Sequence, residues 1–460
     1  MKTFGKVKHI HFIGIGGIGM SGIAELLLNL GYAVSGSDIR DSKVTERIAA
    51  LGGNIFKGHK GKNVEGADVV VYSSAVPVDN PEIEKAREMY IPVIPRAEML
   101  AELMRLKYGV AVAGAHGKTT TTSMIASILT AGNLDPTVVI GGRLDIWGGS
   151  NAKLGQGDIL VAESDESDGS FMALSPTMAV VTNIDLEHVD HYGDMDNIRA
   201  VFVDFINKIP FYGSAILCLD NEEIQNIIPR LKKRCLTYGM SSQADIRAMD
   251  IHTGTLEVDF EVISQGRPIG RVTVGMPGSH NVLNALAAIS VAIEFDIDMA
   301  DIRKGLANLG GLERRFEVKG EKNGILVIDD YGHHPTEIIA TLETVKDCWP
   351  EKKLIAIFQP HRYSRTQTLY DRFVICFNQA DTLIIAPIYS AGEQPIEGVD
   401  SEWLYRGIKE HGHREVFLCG NRDEILSLLS RIVRPGDRVI TLGAGDIHLV
   451  GNEFLEKIEI

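Results

Sequence analysis

Two glycine-rich turns, each between an apolar segment and a helical pattern, constrain this chain more than any other feature of its sequence. The first contains Gly14, Gly16 and Gly19 after HIHFI, and the second runs from Gly114 to Thr120 after YGVAVA. Glycine lets the backbone approach a ligand closely, and the first N–H groups of a helix attract anions. Each turn therefore predicts a phosphate site at the carboxyl end of a strand.

The first turn is a full G-x-G-x-x-G pattern, and Asp38 ends the next apolar segment. In dinucleotide-binding folds an acidic residue at such a place binds a ribose hydroxyl, so the pattern taken alone suggests NAD. The physical requirement is only a diphosphate, and a UDP-sugar satisfies it equally well. A glycine turn that merely lets a strand and a helix pack closely is the remaining alternative.

The second turn resembles a shortened Walker loop. Only two residues separate Gly114 from Gly117, where the usual motif has four, but the Gly-Lys-Thr end is intact. We expect backbone amides to surround the ATP phosphates and Lys118 to reach the β and γ oxygens. The hydroxyl of Thr119 is then suited to bind Mg²⁺.

Strand-like and helix-like segments alternate along all 460 residues, of which 45% are hydrophobic. This alternation predicts an α/β fold with parallel sheets, and the length predicts several domains. The pattern divides the chain into three predicted domains, at residues 1–107, 108–311 and 312–460. In each predicted domain the polar and glycine-rich segments follow apolar strands. Ligands of open α/β sheets bind beyond the carboxyl ends of such strands.

Polar clusters follow three more of these segments. The sequence ESDESDGSF begins at Glu163, directly after ILVA, and its carboxylates suit Mg²⁺; a solvated acidic loop is the alternative. His188 follows another strand and is either a second metal ligand or a hydrogen-bonded structural histidine. Asn281 and Asn284 share a helix face and either meet an adenine edge or, for Asn281, cap the helix.

Composition excludes several classes of protein. A formal net charge of −15 argues against a protein that binds nucleic-acid backbones, which usually has a basic face. The five cysteines contain no C-x-x-C pair, as expected in a reducing compartment. We find no signal-peptide pattern and no apolar run of roughly 18 residues, and we therefore expect a cytoplasmic protein without membrane insertion.

Taken in order, these motifs resemble the Mur ligase family over essentially the whole chain. The family has a shortened phosphate loop, a glutamate after the next strand, a later histidine, an H-N-x-x-N helix and a late arginine. The matching residues are Gly114, Gly117, Lys118, Thr119, Glu163, His188, His280, Asn281, Asn284 and Arg315. Ala115, Ser164 and Leu186-Glu187 depart from the usual family residues, but none of these departures removes a phosphate or metal ligand.

Within the family, GIGGIGMSG, DDYGHHPTE and FQPHRYSRT resemble the members that add alanine. The resemblance implies ATP-dependent ligation of L-alanine to the carboxylate of UDP-N-acetylmuramate through an acyl phosphate, with Mg²⁺ or Mn²⁺. It places this reaction in the cytoplasmic synthesis of peptidoglycan precursors. It also implies three domains: an N-terminal Rossmann-like UDP-binding domain, a central P-loop ATPase-type domain and a C-terminal Rossmann-like domain that binds the amino acid.

The resemblance assigns each group of site residues an expected role. For ATP they are Gly114, Ala115, His116, Gly117, Lys118, Thr119, Thr120, Asn281, Asn284 and Arg315. For the UDP substrate they are Gly14, Gly16, Gly17, Ile18, Gly19, Asp38, Ser73 and Ser74. The expected metal ligands are Thr119, Glu163 and His188, and the expected catalytic residues are Lys118, Glu163, His188, Asp330 and His333. The amino acid is expected to meet Tyr331, His333, Arg362 and Arg365.

Three other functions compete with this one. A ligase that attaches a recycled peptide to the same UDP-muramic acid shares the phosphate loop, but Tyr331-Gly332 favours alanine addition. An NAD-dependent oxidoreductase explains the first turn and leaves the Gly-Lys-Thr turn without a purpose. A non-catalytic ATP switch has no need of a second anion-binding turn. In each case we expect small-molecule partners and no nucleic acid, and a homodimer is compatible with the sequence.

Overall fold

A computed structural model describes residues 4–73, 75–77, 79–144, 150–166, 169–187, 189–307, 309 and 312–458. The chain forms two compact units. Unit 1 consists of Met1–Met249, Glu261–Val272 and Leu283–Gly310, and unit 2 consists of Asp250–Phe260, Thr273–Val282 and Gly311–Ile460. No helix in the described ranges is long and apolar enough to span a membrane.

Twenty-one strands are present in the described chain. They are β1 (His9–Ile13), β2 (Ala33–Asp38), β3 (Asn54–Lys57), β4 (Val69–Tyr72), β5 (Val93–Pro95), β6 (Tyr108–Ala113), β7 (Thr137–Leu144), β8 (Ser150–Lys153), β9 (Ile159–Glu163), β10 (Met178–Val181), β11 (Ser214–Cys218), β12 (Cys235–Gly239), β13 (Ile246–Thr253), β14 (Val258–Ser264), β15 (Arg267–Val274), β16 (Glu317–Lys322), β17 (Ile325–Asp330), β18 (Leu354–Phe358), β19 (Thr382–Ile385), β20 (Val416–Leu418) and β21 (Arg438–Leu442).

Sixteen α-helices lie between or after these strands in the same ranges. They are α1 (Ile18–Asn29), α2 (Lys43–Ala50), α3 (Pro81–Glu88), α4 (Arg96–Arg105), α5 (Lys118–Ala131), α6 (Val189–Tyr192), α7 (Met195–Asn207), α8 (Glu222–Ile227), α9 (Ser279–Glu294), α10 (Met299–Ala307), α11 (Pro335–Cys348), α12 (Tyr363–Thr368), α13 (Tyr370–Phe373), α14 (Ser401–Glu410), α15 (Arg422–Ile432) and α16 (His448–Lys457).

The first sheet has the order β3-β2-β1-β4-β5, and all of its pairings are parallel. Apolar residues of β1, β4 and α3, among them Ile13, Val70 and Ile83, form a buried cluster on this sheet. Strand β1 is central, with β2 on one side and β4 on the other, so the order of the strands changes direction at the carboxyl end of β1. This is the position at which open α/β sheets bind ligands, and the first glycine turn begins there.

The second sheet has the order β15-β14-β13-β12-β11-β10-β6-β9-β7-β8. The pairings from β12 through β10, β6 and β9 to β7 are parallel. Strand β6 lies between β10 and β9, and every residue from Val110 to Ala113 is fully buried. The carboxyl ends of β6, β9 and β10 therefore meet at one edge, which carries the second turn and the acidic loop.

The third sheet, in unit 2, has the order β16-β17-β21-β18-β19-β20. Two buried clusters cover its faces, one around Leu342, Phe358 and Phe373 and the other around Ile425 and Phe454. The loops after β17 and β18 carry the Asp-Tyr-Gly-His-His and His-Arg-Tyr-Ser-Arg segments, so the third sheet brings these two predicted segments to one edge.

The α/β class predicted from the alternating pattern is confirmed, but the expectation of parallel sheets was incomplete. Strand β8 pairs antiparallel with β7, and β16 pairs antiparallel with β17. Both are edge strands of their sheets. The polar sequence EVKGEK of β16 is half exposed and has no apolar run that would have marked it as a strand.

Candidate active site

The first glycine turn lies at the end of β1 and is closed by β2. The N–H groups of Gly14 and Ile15 both donate to the carbonyl of Ser37, at 2.9 and 3.1 Å. Gly14 has a φ of +79°, a left-handed conformation that favours glycine. The first N–H groups of any α-helix lack intrahelical partners, and helix α1, which starts at Ile18, has no side-chain cap to occupy them.

Asp38 contacts this turn directly. Its Oδ2 accepts a hydrogen bond from the N–H of Gly16 at 2.9 Å, and a Cβ at Gly16 would lie 2.8 Å from the same oxygen. Its Oδ1 accepts from the N–H of Arg40 at 3.2 Å. The acid predicted to meet a ribose therefore also fixes the turn, and the second glycine is needed because Asp38 is so near.

The other residues predicted for the UDP substrate flank the same turn. Ser73 follows β4, its N–H donates to the carbonyl of Ile13 at 3.4 Å, and its Cβ lies 3.6 Å from a Cβ built at Gly14. Gly17 precedes α1 and donates to the carbonyl of Gly14 at 3.1 Å. Ser74 lies outside the described residues.

Gly19 has a different neighbour. A Cβ at this position would lie 2.9 Å from Nη1 and 3.1 Å from Cδ of Arg96, the first residue of α4. The guanidinium of Arg96 pairs with Asp165 of the acidic loop, with 3.4 Å between Nη2 and Oδ2. Arg96 thus lies between the first turn and the acidic loop that follows β9.

The second turn needs its glycines for stronger reasons. Gly114 has a φ of +130°, and a Cβ there would lie 2.3 Å from Oγ1 of Thr182. Gly117 has a φ of +77° and precedes helix α5 in a left-handed conformation. Both positions exclude side chains by backbone conformation and by contact, so the two-residue spacing is a genuine variant of the phosphate loop.

The end of β10 holds this loop in place. The N–H groups of Ala115 and His116 donate to Asn183, to its carbonyl at 3.2 Å and its Oδ1 at 2.8 Å. In return, Thr182 Oγ1 and Asn183 Nδ2 donate to the carbonyl of His116 at 2.6 and 3.0 Å. Two of the loop amides predicted to meet phosphate are thus directed to Asn183, and the N–H groups at the start of α5 are better placed.

Lys118 is the first residue of α5, and three acceptors surround its ammonium group. Nζ donates to the carbonyls of Gly114 and Ala115 at 2.6 and 3.1 Å and to Oε1 of Glu166 at 2.7 Å. Burial opposes the lysine charge, but Glu166 and Glu163 outweigh it, and the pKa of Lys118 is raised. Burial raises the pKa of Glu166 to about 7 in spite of Lys118.

Thr119 and Glu163 form the oxygen cluster expected for a divalent cation. Thr119 Oγ1 donates to both carboxylate oxygens of Glu163, at 2.9 and 3.1 Å. A hydroxyl and a carboxylate so close to a phosphate-binding helix start match the hard oxygen ligands that Mg²⁺ prefers. These two residues therefore fit the metal, and His188, the third predicted ligand, lies outside the described residues.

The two predicted adenine residues differ in their contacts. Oδ1 of Asn284 accepts from Thr121 Oγ1 at 3.1 Å and lies 2.5 Å from a Cβ built at Gly117, which ties it to the phosphate loop. Asn281 is the third residue of α9, so it does not cap that helix. Its Nδ2 donates to the carbonyl of Pro277 at 2.7 Å.

In unit 2, Arg315 and Tyr331 lie together. The Cζ atom of Arg315 is 5.2 Å from the Tyr331 ring centroid, and that of Arg314 is 5.1 Å away. Nη1 of Arg315 lies 3.7 Å from Oε1 of Glu337. The late arginine of the sequence pattern is therefore positioned by the loop after β17.

Asp330 supports the same loop. It accepts from the N–H groups of Phe316 and Gly332 at 2.8 and 2.7 Å. Burial raises the pKa of Asp330 to about 6, against the opposing effects of Arg315 and these two N–H groups. These contacts fix Gly332, which follows Tyr331, and the separate segment at Phe316, so Asp330 also has a positioning role beside its predicted catalytic one.

The residues predicted for the amino acid follow β17 and β18: Tyr331 and His333 lie on the loop after β17, and Arg362 and Arg365 lie at the start of α12, after β18. The rings of His333 and His361 are 5.7 Å apart, and Nη1 of Arg365 lies 3.1 Å from Nδ1 of His361. Burial, followed by the charges of His333 and Arg365, lowers the pKa of His361 to about 3. His361 is therefore neutral and accepts the hydrogen bond from Arg365.

Glu393, on the loop after β19, contacts the residues at the start of α12. Its carboxylate accepts from the N–H and Oγ of Ser364 at 3.1 and 2.6 Å and lies 4.0 Å from Nε of Arg362. Arg362 has a φ of +70°, unusual for a residue with a side chain. Glu393 thus secures the start of α12, where both predicted arginines are located.

Comparison with known proteins identifies the family. The chain matches the model of the Mur ligase family, catalytic domain, at residues 9–108, the Mur ligase middle domain at 112–292, and the Mur ligase, glutamate ligase domain at 314–445. The chain belongs to the Mur ligase family. The three matches confirm the three-part organisation of this Mur ligase, whereas the exact boundaries at 107 and 311 stay predictions.

Individual relatives of this Mur ligase are similar over their full length. The UDP-N-acetylmuramate–L-alanine ligase of Geotalea daltonii is 59% identical over 455 residues, covering 99% of both chains. The UDP-N-acetylmuramate-alanine ligase of Thermotoga maritima has a solved structure with a TM-score of 0.80 and 30% identity, covering 98% of this chain and 99% of that one. A murein peptide ligase from Psychrobacter arcticus has a TM-score of 0.69 at 24% identity, covering 98% and 100%, and shares the fold.

The polar residues of this Mur ligase site that were not among the predicted ones include Arg96, Glu166, Asn183 and Glu393. Glu166 lies inside the acidic segment, and its spacing from Glu163 could have drawn attention to it. Asn183 directly follows a predicted strand, which is a weaker signal of the same kind. Nothing near Arg96 or Glu393 in the sequence connects them with a turn far away along the chain.

Proposed function

We propose that this Mur ligase joins L-alanine to the carboxylate of UDP-N-acetylmuramate at the expense of ATP. The observation that carries the proposal is the arrangement of Lys118, Thr119, Glu163 and Glu166 around the second turn. It supports phosphoryl transfer in the same unit that holds a separate anion-binding turn. The full-length similarity to alanine ligases, at 59% identity, supports the choice of substrates.

The chemistry explains why two anion sites are required. A carboxylate is a poor acyl donor because oxide would have to leave, so the muramate oxygen first attacks the γ-phosphorus of ATP and ADP departs. The alanine amine then attacks the acyl phosphate, loses a proton and expels phosphate. Transfer between two anions depends mainly on alignment and positive charge. Lys118 supplies that charge once its ammonium turns from Glu166 to the transferred group.

A divalent cation, Mg²⁺ or Mn²⁺, belongs to the proposal. Thr119 and Glu163 would hold it beside the phosphates, and His188 is the predicted third ligand. The cation would neutralise the charge that develops on the phosphate oxygens. Asn281 and Asn284 are the proposed contacts of the adenine, and Asn284 accepts a hydrogen bond from Thr121 of α5, one residue beyond the phosphate loop.

His333 is the proposed acceptor of the alanine proton. Its Nδ1 lies 3.1 Å from the carbonyl of Tyr331, which accepts a hydrogen bond from a protonated Nδ1. That tautomer has its basic lone pair on Nε2. Histidine is the side chain most often used as a general base, and Nε2 would take the proton from the alanine ammonium group.

Arg362 and Arg365 are proposed to bind the alanine carboxylate. A guanidinium binds a carboxylate through two parallel hydrogen bonds and fixes its orientation, which keeps it apart from the carboxylate to be activated. Arg362→Lys and Arg365→Lys retain charge and lose this geometry. We expect each to raise the KM for alanine, and not for ATP, with a loss of about 1.5–3 kcal/mol, or roughly ten- to over one-hundred-fold in kcat/KM.

Two results would remove the two arginines from this role. One is unchanged alanine kinetics in both lysine variants. The other is alaninamide, which lacks the carboxylate, serving as well as alanine in the unmodified enzyme. Arg422→Lys, on helix α15 of the same unit, is a matched control for the loss of a guanidinium.

Phosphate release from ATP tests the whole proposal. We expect release only when UDP-N-acetylmuramate and L-alanine are both present, with chelator abolishing it. Release with an L-alanyl-peptide in place of alanine would favour the peptide-recycling alternative. Hydride transfer to NAD without ATP turnover would favour an oxidoreductase. The cytoplasmic location and a homodimer stay predictions.

A further inference from the structure

The two glycine turns differ in where positive charge comes from. The second has Lys118 in its own motif, while the first has no lysine or arginine between Gly14 and Gly19. The first turn also has a carboxylate against it, because Asp38 accepts from the N–H of Gly16 at 2.9 Å. A diphosphate placed at this turn would meet that negative charge, so helix amides alone are a poor match for it.

Arg96 supplies a cation at this place. A Cβ at Gly19, in the first turn of α1, would lie 2.9 Å from Nη1 and 3.3 Å from Cζ of Arg96. The guanidinium therefore rests on the bare backbone of Gly19, beside the uncapped start of α1. In dinucleotide-binding folds the third glycine serves close packing of helix and strand; here its missing side chain makes room for Arg96.

The contacts of Arg96 leave most of its donors available. Its described partner is Asp165, at 3.4 Å from Nη2, and the Arg96 side chain is 22% exposed while that of Asp165 is 49% exposed. A guanidinium has five N–H donors, so one long ion pair uses few of them. Partly exposed ion pairs of this kind contribute little to stability. Stabilising the fold is therefore a weak explanation for an arginine at this position.

We propose that Arg96 binds the diphosphate of the UDP substrate at the start of α1. This inference rests on the proposed function, which supplies a UDP-linked substrate. The planar fork of the guanidinium matches two phosphate oxygens, and helix amides hold the same group from the other side. Asp165, 3.4 Å from Nη2, competes with the phosphates for the guanidinium and does not itself bind the substrate.

The test is calorimetric titration of the full chain with UDP, which carries the diphosphate and lacks the muramate carboxylate. Arg96→Met should weaken UDP binding by about tenfold or more, as expected for a charged hydrogen bond, and Arg96→Lys should lose less because it retains the charge. Asp165→Asn should leave UDP affinity unchanged or higher. Arg105→Met, at the other end of α4 and 57% exposed, is the matched control and should bind UDP normally.

The outcomes separate this inference from the proposed function. Failure of the unmodified protein to bind UDP-N-acetylmuramate would overturn both. Normal binding by the unmodified protein, with UDP affinity unchanged in Arg96→Met and Arg96→Lys, would overturn only the role of Arg96. Equal losses in Arg96→Met and Asp165→Asn would show a structural ion pair and would also overturn it. ATP binding by each variant reports whether unit 1 is intact.

Discussion

The two glycine turns of unit 1 are built on the same strand-to-helix geometry and differ in nearly everything around it. The second turn contains its own lysine and hydroxyl, and both are already paired with carboxylates, Lys118 with Glu166 and Thr119 with Glu163. The first turn contains neither, and the cation beside it comes from helix α4.

This difference separates binding from chemistry. A diphosphate that is only bound can be contacted by a cation from another part of the fold. A phosphoryl group that is transferred needs a cation that stays close to it throughout the reaction. Lys118, next to the loop and balanced by Glu166, fits the second requirement. Arg96, resting on backbone, fits the first.

Lys118→Ala is the strongest test of that separation. It removes the charge from the transfer site alone, and we expect ligation to fall by at least about a thousandfold. Affinity for the UDP substrate, measured by calorimetry, should not change. An equal loss of UDP-substrate affinity would mean that the two turns act as one site.

Glu163→Gln should come next in size. It retains an acceptor for Thr119 and loses the negative charge, so we expect a loss of about a hundredfold or more at ordinary Mg²⁺ concentrations. Raising Mg²⁺ or Mn²⁺ should restore part of the rate. Asp165→Asn, on the same loop, is the control and should retain its metal dependence; full turnover in excess chelator would contradict the role of Glu163.

Glu166→Gln tests the balance at the second turn through pH. Burial raises the pKa of Glu166 to about 7, so above that pH its carboxylate is charged and competes with ATP for Lys118. The KM for ATP should therefore rise by roughly a few-fold as pH increases through 7 in the unmodified enzyme, and the Gln variant should lack this rise. Identical pH profiles would contradict the competition.

Gly19→Ala should have the smallest effect. The added Cβ displaces the flexible end of Arg96 without straining the backbone, and we expect UDP affinity to fall by roughly several-fold. ATP kinetics should not change. Combined with Arg96→Met it should cause no further loss, because both changes remove one interaction; additive losses would mean that Gly19 acts by another route.

The parts of the structure that the sequence predicted well are local ones. Strands β1 and β6, the turns after them and the starts of α1 and α5 depend on neighbouring residues, and all are where the pattern placed them. The α/β class followed from the same alternation. The antiparallel edge strand β16 was not predicted, because its exposed polar residues give no periodic signal.

The unpredicted part of the site depends on contacts between distant segments. Arg96 and Asp165 are 69 positions apart, and His116 and Asn183 are 67 apart. No spacing rule connects such pairs, since only the folded sheets bring them together. The residues of the two glycine motifs were predicted from the sequence. The residues that position the second motif, such as Asn183, or place a cation beside the first, such as Arg96, were not.

The contact between Gly19 and Arg96 also constrains the order in which this chain can evolve. What blocks a Cβ at position 19 is a guanidinium, 2.9 Å away, and not the backbone. A lineage that first replaced Arg96 would find position 19 open to alanine or serine, while one that kept Arg96 would displace its guanidinium at the same step. Once a side chain occupied position 19, an arginine could no longer return to 96 in its present place. The two substitutions together would then be difficult to reverse one at a time.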